Sequence, residues 1–120
     1  TESWPYRNQL LVTLASMKAI SYGVTDLMLA SVSSDGFHRD GTAEFYELLS
    51  KLMTFQEGNM KVYSPCISMT TVELVEKSDI GADLLFWAHS CHKSNIACGH
   101  CRGCNKYRQV IDELQMKGIV

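Results

Sequence analysis

The sequence predicts an α/β domain that ends in a metal-binding loop and a helix. Two observations carry this. Apolar residues at helical spacing alternate with short unbroken apolar runs, in the order helix–strand–helix–strand–helix, as layered α/β folds require. Four of the five cysteines then fall between Cys91 and Cys104, ahead of a last amphipathic helix. The 120 residues are 46% hydrophobic and carry a net charge of −2. This suffices for a single domain over 1–120, with 91–104 as its metal loop. The near-neutral charge leaves no footprint for nucleic acid or an anionic membrane. No apolar run approaches the ~20 residues that span a bilayer. Thiols grouped as ligands predict a reducing, cytoplasmic setting.

The elements follow in order. Pro5 biases Trp4 to an extended conformation, and Asn8 reads as the N-cap of a helix from Gln9 to Tyr22. Leu10, Leu11, Val12, Leu14, Met17 and Ile20 make that helix apolar nearly all round, with Lys18 its only charge; this is the pattern of a buried helix. Gly23 stands where a left-handed C-terminal residue belongs. Asp26–Val32 reads as a buried parallel strand, and Ser33 to Gly41 as a polar loop. Phe45, Leu48, Leu49 and Leu52, spaced i, i+3, i+4 and i+7, predict a helix from Thr42 to Gln56, closed by Gly58. Met60–Ser64 is the second strand. Thr70 and Glu73 form a capping-box pair for a short helix reaching Lys77. A loop follows, and Cys104, Tyr107, Ile111 and Leu114 form one stripe of a last helix ending near Lys117-Gly118.

The cysteines are spaced Cys91-x6-Cys98-x2-Cys101-x2-Cys104. Tight CxxC turns let thiolates converge on one ion, and Gly99 and Gly103 permit the backbone such turns need. A four-thiolate set leaves no open coordination position, so a zinc ion here is structural. An iron–sulfur cluster is the second reading, although no Cys-Pro follows Cys104. Disulfides are the third, disfavoured by strain between cysteines so close. His89, His92 and His100 read as polar loop residues while four thiols are at hand. Cys66 reads as a small buried residue.

Ligands of open α/β sheets bind beyond the carboxyl ends of the strands. Arg7-Asn8, the loop Ser33 to Thr42 and Pro65 to Thr70 would lie there. Arg7 beside a helix start could hold phosphate through its charge and nearby N–H groups; the plainer alternative is a surface arginine. Asp35, His38, Arg39, Asp40 and Thr42 could read a heterocycle or a carboxylate, or could simply be a solvated loop. No Ser/His/Asp order or Gly-rich phosphate loop appears, and no catalytic residue is assigned.

These segments resemble the C-terminal part of the 7-cyano-7-deazaguanine synthase family of queuosine biosynthesis. Pro5-Tyr6-Arg7-Asn8 is similar to the family's Pro-x-Arg-Asn segment, and Asp40-Gly-Thr-Ala-Glu44-Phe45 to its Asp-Cys-Arg-Pro-Glu-Phe. Ser90-Cys91 with Cys98-Gly99-x-Cys101-x-x-Cys104 resembles its zinc signature. The resemblance implies a doubly wound parallel sheet of the adenine-nucleotide α-hydrolase (PP-loop) type and structural zinc beside the substrate pocket. It implies ATP-dependent conversion of 7-carboxy-7-deazaguanine, with ammonia, to the nitrile. Its partners would be a 7-deazapurine and ATP, and either a second copy in a homodimer or a missing N-terminal half. Arg7, Asn8, Asp35 and Asp40 would serve the substrate or nucleotide, and Cys91, Cys98, Cys101 and Cys104 the zinc.

Two departures stand out. The family's Ser-Gly-Gly-x-Asp-Ser phosphate loop is not among these residues, so the chain reads as a C-terminal portion, inactive alone. Gly41 and Thr42 stand where the family has Cys and Arg, and His89 where a Trp is expected. Losing the pocket arginine removes a bidentate carboxylate partner, which makes a synthase-like paralogue acting on a related base the alternative within the family. A zinc-knuckle binding module for protein or RNA, with Lys93, Arg102, Lys106 and Arg108 around the cysteines, is the alternative; Tyr107, the one aromatic among them, belongs to the helix stripe.

Overall fold

In the computed structural model, which describes residues 4–120, the chain forms two compact units, Thr1–Met69 and Thr70–Val120. The first unit runs α1 (Arg7–Ile20), β1 (Asp26–Met28), two 3₁₀ turns (Ser33–Phe37 and Arg39–Gly41), α2 (Ala43–Thr54) and β2 (Lys61–Tyr63). The strands pair in parallel, with Leu27 opposite Val62. The connection between them passes through α2, as parallel pairing demands. The strands are shorter than the apolar runs predicted. Beyond Met28 the ladder gains only the Leu29 N–H to Tyr63 carbonyl bond. Ser31 then turns its groups to α2 and to Ser64: its hydroxyl pairs with that of Tyr46 at 2.5 Å, and its carbonyl accepts from the Ser64 hydroxyl at 3.0 Å.

The core of this unit is Val12, Tyr46, Leu49, Met60 and Val62, with Leu27, Leu29, Phe45 and Met53 packed around it. The apolar face of α2 differs from the one predicted. Leu48 and Leu52 are exposed, and Tyr46, Leu49 and Met53 point inward instead. The reason is a polar anchor: the Ser50 hydroxyl accepts from the Val62 N–H at 3.0 Å, which rotates Leu49 and Met53 onto β2. Thr42 caps α2 by accepting from the Phe45 N–H at 3.2 Å.

α1 departs from its sequence pattern in two ways. Its N-cap is Tyr6, in the left-handed region at φ 61°, and not Asn8, whose amide is engaged elsewhere. It is also not buried. Only Val12 and Ser16 are enclosed, while Leu10, Leu11, Leu14, Met17 and Ile20 are exposed. Within Thr1–Met69 a single layer of partners meets the helix, so one narrow stripe is covered and the rest of its apolar surface is open.

The second unit holds α3 (Thr71–Ser78), α4 (Ala82–Leu85) and α5 (Arg102–Met116). The capping box forms as predicted: Glu73 N–H donates to the Thr70 hydroxyl at 3.1 Å and Thr70 N–H to the Glu73 carboxylate at 2.7 Å. Hydrogen bonds from the Thr70 N–H and hydroxyl hold the Glu73 carboxyl below its usual range. α3 and α5 pack through Val72, Val75 and Leu114. Lys117 Nζ closes the pair on Glu76 at 2.9 Å, at a half-exposed position. Where the sequence predicts a loop, α4 forms a single helical turn with no side-chain cap. Among the described residues, no helix is long and apolar enough to cross a membrane.

Candidate metal centre and ligand cleft

The cysteine loop folds against the N-terminus of α5. Cys101 is that helix's N-cap, its sulfur accepting from the Cys104 N–H at 3.4 Å. Cys101 and Cys104 are buried, and Cys91 and Cys98 half-buried. One sulfur from each lies within 4.8 Å of all the others. Cys91 and Cys101 stand 3.9 Å apart and Cys98 and Cys104 4.0 Å. A tetrahedral ion with bonds of about 2.3 Å sets its thiolates about 3.8 Å apart. The separations are about twice a disulfide bond of roughly 2.05 Å, and they leave room for one ion rather than for several irons. The donor set therefore fits a single tetrahedral ion such as zinc.

The surroundings stabilise thiolates unequally. Main-chain N–H groups of Cys98, Lys93 and Ser94 hold the Cys91 thiol down to about 5. Those of His92 and Cys104 lower Cys101. Burial pushes Cys104 up to about 11. Thiolates this close repel one another, and only a cation among them lets all four ionise. The positive end of the α5 dipole adds to this at Cys101 and Cys104.

Both predicted glycines matter, for different reasons. Gly99 has φ 78°, the left-handed turn expected of it, and its carbonyl accepts from Arg108 at 2.6 Å. Gly103 is helical, and what it supplies is space: a Cβ there would lie 1.7 Å from the Ser90 carbonyl oxygen and within 3 Å of the His92 ring. The irregular segment leading into Cys91 thus lies directly on α5 at Ser90. The His89 and His100 rings bond to the carbonyls of Ser94 and Cys98, at 3.0 and 2.8 Å. Cys66 is half-buried and is not part of the four-cysteine group.

The first unit holds a cleft of about 730 Å³, a size common for small-molecule sites. Arg7, Asn8, Asp35 and Asp40 are among the residues that line it. The Asn8 amide donates to the Asp40 carbonyl at 2.9 Å. One Asp35 oxygen accepts from the Val32 N–H at 3.0 Å, fixing the first 3₁₀ turn. Trp4, Tyr6 and Phe45 add aromatic walls that the sequence alone did not assign; their nearness in sequence to Arg7 and Glu44 was the available signal. Gly41 is buried, and a Cβ there would lie 2.3 Å from the Asp35 carbonyl oxygen. The cysteine of the resembling segment therefore has no room at this position.

No curated protein matches the chain. The family model of queuosine biosynthesis protein QueC matches residues 1–115, and the chain belongs to that family.

Proposed function

We propose that the chain is the C-terminal, zinc-bearing portion of an ATP-dependent 7-cyano-7-deazaguanine synthase-like enzyme. The observation that carries this reading is the convergence of Arg7, Asn8, Asp35 and Asp40 on one cleft in a chain of this family. The reaction it would serve begins with attack of the substrate carboxylate on the α-phosphorus of ATP, expelling pyrophosphate. Ammonia then displaces AMP to give an amide. A second activation of the amide oxygen and loss of AMP give the nitrile. Arg7 would meet a negative oxygen of the carboxylate or nucleotide, and Asp40 the N–H edge of the base. Zinc held by Cys91, Cys98, Cys101 and Cys104 would be structural, since four thiolates leave it no open position.

The parallel pair β1–β2 with its helical connection is compatible with part of a doubly wound sheet of the PP-loop type. The open apolar surface of α1 supports cover by an N-terminal half or by a second copy in a homodimer. A Gly-rich phosphate loop is not among the 120 residues, so the chain alone should show no ATP–pyrophosphate exchange. The reading is tested by titrating the purified chain with 7-carboxy-7-deazaguanine and following the fluorescence of Trp4 and Trp87. Saturable binding, well above that of adenine, is expected; binding no better than adenine would remove the proposed substrate.

A further inference from the structure

The resembling family segment carries an arginine where this chain has Thr42, yet the cleft is not without a guanidinium. Thr42 is committed to the backbone. Its hydroxyl caps α2 at Phe45 and donates to the Arg39 carbonyl at 2.7 Å. The Thr42 N–H reaches the same carbonyl at 3.3 Å. These two bonds pin the main chain of Arg39 at the cleft, and Arg39 is one of its lining residues. Among the described residues its side chain has no hydrogen-bond or ion-pair partner, and neither does the Asp40 carboxylate. Arg7, by contrast, is turned toward the Asn8 side-chain oxygen at 3.4 Å.

We propose that Arg39 is the specificity-determining residue of the cleft and holds the carboxylate of a planar heterocyclic acid; this rests on the synthase reading above. Charge complementarity selects that ligand over a polyphosphate. Two aspartates, Asp35 and Asp40, face the same space, and a triphosphate beside them would be repelled. A single carboxylate on a ring with an N–H edge satisfies both signs, its oxygens on Arg39 in the bidentate manner of guanidinium and its ring N–H groups on Asp40. The aromatic walls supply faces for the ring. Gly41 and Thr42 then appear as consequences: the chain closes tightly under Asp35, and the guanidinium enters three residues earlier.

The test is calorimetric titration of the wild-type chain, Arg39→Ala and Arg39→Lys with 7-carboxy-7-deazaguanine, with its neutral 7-cyano counterpart and with ATP. Arg39 is exposed, so the variants should fold; thermal melts check this. Arg39→Ala should weaken the carboxylate about tenfold or more, the loss of a charge-assisted bidentate pair, and leave the nitrile and ATP unchanged. Arg39→Lys should recover only part. Equal losses for carboxylate and nitrile, no loss at all, or a loss confined to ATP would each overturn the proposal while the synthase reading stands. Failure of the wild-type chain to bind either deazaguanine would overturn both.

Discussion

Asn8, in the first turn of α1, and Asp40, in the second 3₁₀ turn, are joined by a 2.9 Å hydrogen bond from the Asn8 amide to the Asp40 carbonyl across 32 residues of sequence. It links, at the cleft that both residues line, the two segments that the family resemblance singled out. Asn8→Ala leaves a half-buried carbonyl unpaired and should cost about 1 kcal/mol of stability. The same variant should loosen the cleft. Urea unfolding and ligand titration read the two effects separately, and Asn8→Asp, which cannot donate, should resemble Ala in both.

Tyr6 holds a backbone conformation at φ 61° that bulky residues avoid. Such strain costs of order 1–2 kcal/mol, and the ring is largely exposed at 78%, so little burial offsets it. Tyr6→Gly should therefore raise the unfolding midpoint. It should also weaken binding of a planar ligand, because the ring is one wall of the cleft. Opposite signs in the melt and the titration are the expected pair.

What the sequence revealed and what it hid divide along physical lines. The Thr70–Glu73 capping box and the Cys104–Leu114 stripe are local patterns, and both appear as predicted. So do the four cysteines, because CxxC turns bring sulfurs together without help from distant elements. Asn8 misled because a good capping side chain has an equally good long-range partner in the Asp40 carbonyl. On α2 two apolar stripes overlap, and the Ser50–Val62 bond, which no periodicity reports, chooses between them. α1 shows the limit of hydrophobicity as a guide: its apolar surface is real, but this chain covers only Val12 and Ser16.

Gly103 should be the most sensitive position of the metal loop. Adding a methyl group drives a Cβ into the Ser90 carbonyl, and either the loop lifts or α5 bends. Gly103→Ala should destabilise the second unit by about 1–3 kcal/mol, as overpacking does, and weaken zinc retention against a chelator. Gly118, whose Cβ would meet nothing, serves as the comparison. An alanine at Gly118 meets only backbone strain at φ 69° and should leave zinc retention intact.

Acid should dissolve the capping box. The Glu73 carboxyl is held below its ordinary value by the Thr70 N–H and hydroxyl. A depressed carboxyl stabilises the folded state fully above the unfolded value near 4.5 and loses that contribution as pH falls through the folded value. Glu73→Ala should thus melt below wild type at neutral pH, with the gap narrowing below about pH 4.5 and vanishing once the folded carboxyl is protonated. A gap independent of pH would mean that the carboxylate's charge plays no part.

Chelation should act on the cysteine loop more than on the rest of the chain. Without a cation the Cys91 and Cys101 thiolates repel, and the Cys101 cap of α5 loses its anchor. Hydrogen exchange before and after metal removal should show lost protection at 91–104 and in the first turn of α5, with β1 and β2 unchanged.

The most direct test of the account is native mass spectrometry of the chain in the presence of 7-carboxy-7-deazaguanine, since one spectrum reads both the metal and the ligand. The expected species carries one zinc ion and one deazaguanine per polypeptide, with the zinc lost from a Cys91→Ser/Cys104→Ser variant. A metal-free mass, an iron–sulfur increment, or no ligand adduct beyond that given by adenine would contradict it.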